Sequence, residues 1–211
     1  MTADRRLRIG GWAALLVAIL TPLQLAAFFL WPGTGEPAAI AALVAVSGLR
    51  IVATLVAVVG LDRLFRSIAP VPAQWILSIG VVGSALLLAV SASDLAGTGL
   101  AVAGHGSVDP GLGTWLGLLA SVLVGVWFVG GGAILMAAGG DIARIGWSAE
   151  LGGAGAILTA VAIATRFGGS VGVTGTSLRD WFHLLGLFVV IYLIRTWRFV
   201  VGGRLPGPGI L

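Results

Sequence analysis

Six long runs of apolar residues, separated by short polar segments, fill most of this chain. The runs cover about residues 10–31, 38–61, 75–95, 114–138, 149–167 and 181–201. Each is close to the ~20 residues that an α-helix needs to cross ~30 Å of hydrocarbon. The connecting segments are too short to form a soluble core of their own. The pattern therefore predicts an all-α polytopic bundle of six transmembrane helices, with residues 1–211 forming a single domain.

The composition supports the same class of protein. Hydrophobic residues make up 58% of the chain and charged residues only 9%, against about 25% charged in an average globular domain. The absence of cysteine excludes disulfides, thiolate nucleophiles and thiolate metal sites. The net charge of +4 does not indicate nucleic-acid binding, because the arginines stand singly or in small groups at the ends of apolar runs. The expected partner is the lipid bilayer.

The distribution of arginine predicts the orientation. If the N-terminus is cytoplasmic, nine arginines lie on the inner side and two on the outer side. The inner nine are Arg5, Arg6, Arg8, Arg63, Arg66, Arg144, Arg195, Arg198 and Arg204, and the outer two are Arg166 and Arg179. Because cytoplasmic loops carry the excess of positive charge, both termini are predicted to be cytoplasmic.

Tryptophan and small residues indicate how the helices sit and pack. Seven tryptophans fall near predicted membrane interfaces, and only Trp127 lies deep in a segment, where we expect it to pack in the core. Small residues four positions apart predict close contacts between helices inside the bundle. These pairs are Gly80 and Ser84, Ser121 and Gly125, Ala133 and Ala137, and Gly152 and Ala156.

Arg50 is the clearest polar residue within an apolar run. A charge at that depth costs at least about 2.5 to 3.5 kcal/mol, so it needs a partner. Asp94 is the best candidate, while Gln24 and Ser47 are expected at the depth that the guanidinium reaches. Three interpretations stay open: a buried ion pair that fixes helix register, an anion or proton site of a small transporter, and an arginine that faces lipid or a neighbouring subunit.

A second set of polar residues falls on the predicted outer side. His105, Asp109, Asp180 and His183 are weak candidates for a metal, proton or enzymatic site. They lack the spacing of a metal-binding motif, so we expect two interfacial histidines and no bound transition metal.

The stretch from Trp127 to Gly132, the segment Asp141 to Trp147, the glycine-rich fifth run and the closing Trp181 to Arg198 resemble a broad group of bacterial six-helix integral membrane proteins of unknown function. The resemblance implies six helices in a bacterial cytoplasmic membrane and supplies no catalytic residues.

The sequence thus predicts a multi-pass protein without a recognisable catalytic motif. A non-enzymatic accessory or binding protein fits best, and its ligand would be a lipid, a quinone or a pigment. Its protein partner would be a larger membrane complex or a second copy. The alternatives are a small transporter that uses Arg50 and Asp94, and a membrane enzyme with an outer-face histidine and aspartate site.

Overall fold

The computed structural model describes residues 3–30, 37–102, 110–164 and 187–202, and this part of the chain is helical throughout. The helices are α1 (Ala3–Leu30), α2 (Pro37–Ile68), α3 (Pro70–Val102), α4 (Pro110–Ala137), α5 (Gly140–Ala164) and α6 (Phe188–Val201). The first five are long and apolar enough to cross a membrane. The described part of α6 is the last two thirds of the predicted sixth segment, and residues 181–186 lie outside the described residues. The chain is therefore an all-α protein with the character of a multi-pass membrane protein.

The helices form a closed ring in sequence order. Each helix contacts the next in the sequence, and α6 also contacts α1, which completes the ring. In addition, α2 contacts α4 across the ring. We call the end at which α1, α3 and α5 begin and α2, α4 and α6 end the basic end. Of the arginines that the structure describes, all but Arg50 lie toward this end.

Aromatic side chains fill the centre of the ring. Trp127 of α4 is only 1% exposed, and its ring lies 6.0 Å from that of Phe65 on α2 and 4.8 Å from that of Phe128. Phe128 in turn meets Tyr192 of α6 at 5.7 Å. Such tilted contacts are favourable between aromatic rings. The predicted packing role of Trp127 is confirmed.

Glycines bring α4 and α5 into backbone contact at two places. A Cβ added at Gly146 would lie 2.5 Å from the carbonyl oxygen of Gly132, and one added at Gly153 would lie 2.6 Å from that of Gly125. On each helix, the two contacting glycines are seven residues apart, which is the spacing at which two helices meet repeatedly along one seam. Only glycine fits at these positions, because the backbones approach too closely for a side chain.

The pair formed by α1 and α2 has a single contact of this kind. A Cβ added at Gly10 would lie 2.7 Å from the Cα of Gly60. Towards the opposite end, the Gln24 side-chain amide donates a hydrogen bond to the Ser47 hydroxyl at 3.1 Å. In both contacts, Gly10 with Gly60 and Gln24 with Ser47, the two residue numbers add up to about 70. A constant sum of this kind means that the two antiparallel helices keep one register over this length.

Several helices begin or end beyond the predicted apolar runs. At the end of α2, Arg66 forms an ion pair with Asp62 at 2.6 Å, four residues earlier on the same helix. At the start of α5, Gly139 and Gly140 adopt positive φ angles of 75° and 58° and make the turn from α4. The helices therefore continue past the apolar runs into segments with charged residues, because charged side chains are compatible with a helix that projects into water.

Of the four predicted pairs of small residues, one is wrong and three contain buried positions. Ala133 and Ala137 are exposed, so this pair does not face a neighbouring helix of the bundle. Ser84 is fully buried, Gly80 packs against Trp127, and Gly152 packs against Val189 of α6. Small-residue spacing alone did not distinguish the inner face of α4 from its outer face.

Candidate functional site

Arg50 lies on the face of α2 that is turned into the ring. It stands about 13 residues after Pro37, or ~20 Å along the helix at 1.5 Å per residue. Ala53, Thr54 and Ala57, which share its face at helical spacing, are all buried. The Arg50 side chain is partly buried, and its Nε is enclosed without a hydrogen-bond partner among the described residues. An enclosed guanidinium nitrogen of this kind calls for a counter-charge or a polar ligand.

The two predicted supporting residues, Gln24 of α1 and Ser47 of α2, are hydrogen-bonded to each other. The hydrogen bond from Gln24 to Ser47 joins α1 to α2 one helical turn from Arg50, towards the opposite end. The hydroxyl of Thr54 donates to the Arg50 carbonyl at 2.8 Å, which leaves the guanidinium untouched. Gln24, Ser47 and Arg50 therefore form a small polar layer in the half of the ring that lies away from the basic end.

Asp94 belongs to α3, but its side chain lies outside the described residues. The contact of Gly80 with Val58 of α2 fixes the height of this part of α3. Position 94 follows Gly80 by 14 residues, or ~21 Å along the helix, away from the basic end.

Glu150 is a polar residue that the sequence analysis missed. It lies ten residues into α5, about 15 Å from the start of the helix. Its side chain is partly buried and packs against α4, where its Cγ would meet a Cβ added at Gly132 at 2.8 Å. The predicted fifth run began at residue 149, which placed Glu150 at the membrane surface. The signal that was available is the segment from Asp141 to Ser148, which contains no proline and can therefore continue the helix toward its N-terminus.

The outer-face candidates His105, Asp109, Asp180 and His183 lie outside the described residues. Within the described ranges, no group of three histidine, aspartate or glutamate side chains is arranged to hold a metal ion.

A polar contact at the basic end joins α5 to α6. One guanidinium nitrogen of Arg195 donates to the carbonyl oxygen of Arg144 at 3.1 Å and lies 3.4 Å from the hydroxyl of Ser148. Arg195 therefore anchors α6 to α5. From the sequence, Arg195 was counted only among the arginines that predict the membrane orientation.

A groove lies between α1 and α2 at the basic end, beside the contact of Gly10 with Gly60. Its volume is about 280 Å³, and it is lined by Arg6, Ile9, Leu55, Val56, Val59 and Gly60. Val59 is 52% exposed and Ile9 is 40% exposed, so the groove opens outward, away from the ring. Its walls are apolar except for Arg6, which suits an amphiphilic molecule. The sequence analysis did not find it, because a groove depends on how far apart two helices lie.

No protein-family model, no curated protein and no solved structure matches this chain. The resemblance to bacterial six-helix membrane proteins stays a prediction.

Proposed function

We propose that this protein is a non-enzymatic, multi-pass protein of the bacterial cytoplasmic membrane that binds a lipophilic ligand. The observation that carries the proposal is the groove between α1 and α2, which combines apolar walls with one basic residue and opens toward the surroundings of the bundle. A molecule that diffuses in the bilayer can enter such a groove from the side. Binding of this kind also suits an accessory subunit that presents a lipid, quinone or pigment to a larger complex.

Native mass spectrometry of gently solubilised protein tests the proposal. We expect a fraction of the chains to carry one lipophilic molecule of defined mass, which organic extraction and mass spectrometry then identify. Bare protein in every mild detergent would contradict the proposal. A Val56→Phe variant, which fills the groove with a larger apolar side chain, should lose the bound molecule and keep its fold.

The proposed orientation places the basic end in the cytoplasm. The support is the concentration of described arginines toward that end, together with the exposed side chains of Trp12, Trp75 and Trp147 near it. Alkaline phosphatase fused after Arg66 should be inactive, and a fusion near Gly106 should be active. The reverse result would invert the assignment.

A small transporter that uses Arg50 and Asp94 is the second candidate. The observation in its favour is that Arg50 faces the ring interior with an enclosed Nε, at a depth where charge is costly. The α2 and α3 helices meet at Val58 and Gly80, so position 94 lies about six residues, or ~9 Å, further out than Arg50 in this register. Arg50 leans towards the start of its own helix, which is towards that level.

Water access to Arg50 separates transport from a structural role. The chain has no cysteine, so a single Ser47→Cys variant reports on one position only. Rapid reaction with a charged, membrane-impermeant thiol reagent added from the outside would show a water-filled path and favour transport. Protection of Ser47→Cys, matched by protection of the deeper Thr54→Cys, would favour a dry polar layer that only holds the helices together.

A further inference from the structure

The register of α1 and α2 brings two arginines to the same end of the groove. Gly10 packs on Gly60, and the helices are antiparallel. Arg6 lies four residues from Gly10, and Arg63 lies three residues from Gly60, both towards the basic end. The two residues therefore stand at nearly the same height, with Arg6 in the lining of the groove and Arg63 one helical turn beyond the lining residues Val59 and Gly60.

Both arginines also share a face with the apolar lining of the groove. Arg6 comes three residues before Ile9 on α1, and Arg63 comes four residues after Val59 on α2, spacings at which helical side chains are neighbours. Both arginines are exposed. The groove consequently changes from apolar walls to a doubly basic mouth over about two helical turns.

Among the described side chains, no carboxylate pairs with Arg6 or Arg63. The nearest described carboxylate in sequence, Asp62, pairs with Arg66 at 2.6 Å. The mouth of the groove therefore attracts an anion.

The depth of the groove matches the boundary between lipid headgroups and acyl chains. Trp12 is 52% exposed on α1, two residues beyond Gly10, and its ring lies 5.5 Å from that of Trp197 on α6. Exposed tryptophans of membrane proteins sit at the headgroup level. At this level the apolar walls meet acyl chains, and the two arginines meet the headgroups.

We propose that the groove binds one anionic phospholipid of the cytoplasmic leaflet, with its phosphate between Arg6 and Arg63 and an acyl chain against Ile9, Val56 and Val59. The inference rests on the proposed lipophilic binding and adds the ligand class and the residues that select it. Arginine favours this role because its planar guanidinium binds phosphate oxygens in pairs.

The test compares two lipids and two double variants of the full chain. Delipidated protein in mild detergent is titrated with dioleoyl phosphatidylglycerol or dioleoyl phosphatidylcholine, and bound lipid is counted by native mass spectrometry. The wild type should bind the anionic lipid more tightly. An Arg6→Gln, Arg63→Gln double variant should lose about fivefold in affinity for each arginine removed.

The matched control carries the same change of charge at the same end of the bundle. An Arg144→Gln, Arg198→Gln double variant removes two exposed arginines of α5 and α6, outside the groove, and should keep the preference for the anionic lipid. An Arg6→Lys, Arg63→Lys variant should retain part of the preference, because lysine keeps the positive charge but loses the paired contacts of the guanidinium with phosphate.

The outcomes separate this inference from the proposed function. Equal loss in the groove variant and in the control would show a diffuse charge effect and overturn the site. Equal retention of both lipids by the wild type would overturn the headgroup selection and leave lipophilic binding intact. Retention of neither lipid, or of any other lipophilic molecule, would overturn both.

Discussion

The pairs formed by α4 with α5 and by α1 with α2 solve the same packing problem differently. Two glycine contacts, one heptad apart, hold α4 against α5. Among the described residues, α1 and α2 share one glycine contact and one hydrogen bond, between Gln24 and Ser47, besides their apolar packing. The first arrangement brings the two backbones together along a continuous seam, whereas the second leaves space beside its single contact for a groove and for polar residues.

This difference matters because lipid removes the hydrophobic drive for helices to associate. In a bilayer, helix pairs are held by van der Waals packing and by polar contacts. A double glycine seam maximises packing and leaves little surface for a ligand. The α1–α2 pair gives up part of that packing, and all the candidate binding features in the described residues belong to it or lie beside it.

The largest expected effect comes from the charge beside the α1–α2 pair. If Arg50 and Asp94 interact, Arg50→Met or Asp94→Leu alone leaves an uncompensated charge and should lower the free energy of unfolding by about 3 to 5 kcal/mol. The double variant should lose much less than the sum. Thermal unfolding in detergent measures the four members of this cycle, and strictly additive losses would show that the two residues do not interact.

A Glu150→Gln variant provides the matched comparison on the α4–α5 pair. Glu150 lies at the seam but is partly exposed, so its neutralisation should change stability by less than either single change of the Arg50 cycle. A larger loss for Glu150→Gln would identify α5, rather than α2, as the helix that carries the essential charge.

The next effect concerns the α4–α5 seam itself. Gly146→Val places a branched side chain against the backbone of Gly132, where a Cβ alone would already be 2.5 Å from the carbonyl oxygen. We expect a loss of about 2 to 3 kcal/mol and a lower melting temperature in detergent. Gly48→Ala is the control, because an added Cβ there has no neighbour within 4 Å and should be neutral or slightly stabilising. Unchanged stability of Gly146→Val would disprove the seam.

A smaller effect is expected at the single contact of α1 with α2. Gly60→Ala forces the helices apart near Gly10, but no second glycine contact resists the movement, and alanine improves helix propensity by up to ~1 kcal/mol. The net loss should be about 1 kcal/mol. Because the groove lies beside this contact, lipid retention measured by native mass spectrometry should fall more clearly than the melting temperature does. A loss of stability as large as that of Gly146→Val would contradict the comparison.

The smallest effect is expected from the hydrogen bond of Gln24 with Ser47. Measured interhelical hydrogen bonds in membranes average about 0.6 kcal/mol, so Gln24→Leu should lower stability by about that amount. Ser47→Ala should give a similar loss, and the two changes together should cost no more than one of them. An additive pair of losses would show that each residue has another partner.

Hydropathy predicted the helical class and the long spans but not the helix ends. The start of α3 at Pro70 and that of α5 at Gly140 precede the predicted starts at residues 75 and 149. Hydropathy detects only the stretch that contacts hydrocarbon, whereas helix ends depend on local signals such as Pro70 in the first turn. The misplaced start of α5 is the reason why Glu150 was missed.

The helix contacts and the groove needed three-dimensional information. The chain has 34 glycines, so small residues four positions apart are common and do not single out the α4–α5 seam, whose glycines are seven positions apart. Arg50 was found because one charge among apolar residues is a strong local signal. Arg63 had no such signal, since its place beside Arg6 depends on the register of two helices.

The contact of α1 with α6 has a consequence for how the protein is made. The first helix leaves the ribosome long before the last, and at about 5 to 20 residues per second the intervening chain takes on the order of 10 to 30 s to synthesise. During that interval the α6-facing side of α1, which includes Gly11 against Val200 in the finished ring, has no permanent neighbour. Lipids or an insertion factor must cover it, and arrival of the final helix displaces them. The last step in the assembly of this ring is therefore the replacement of these temporary neighbours of α1 by α6.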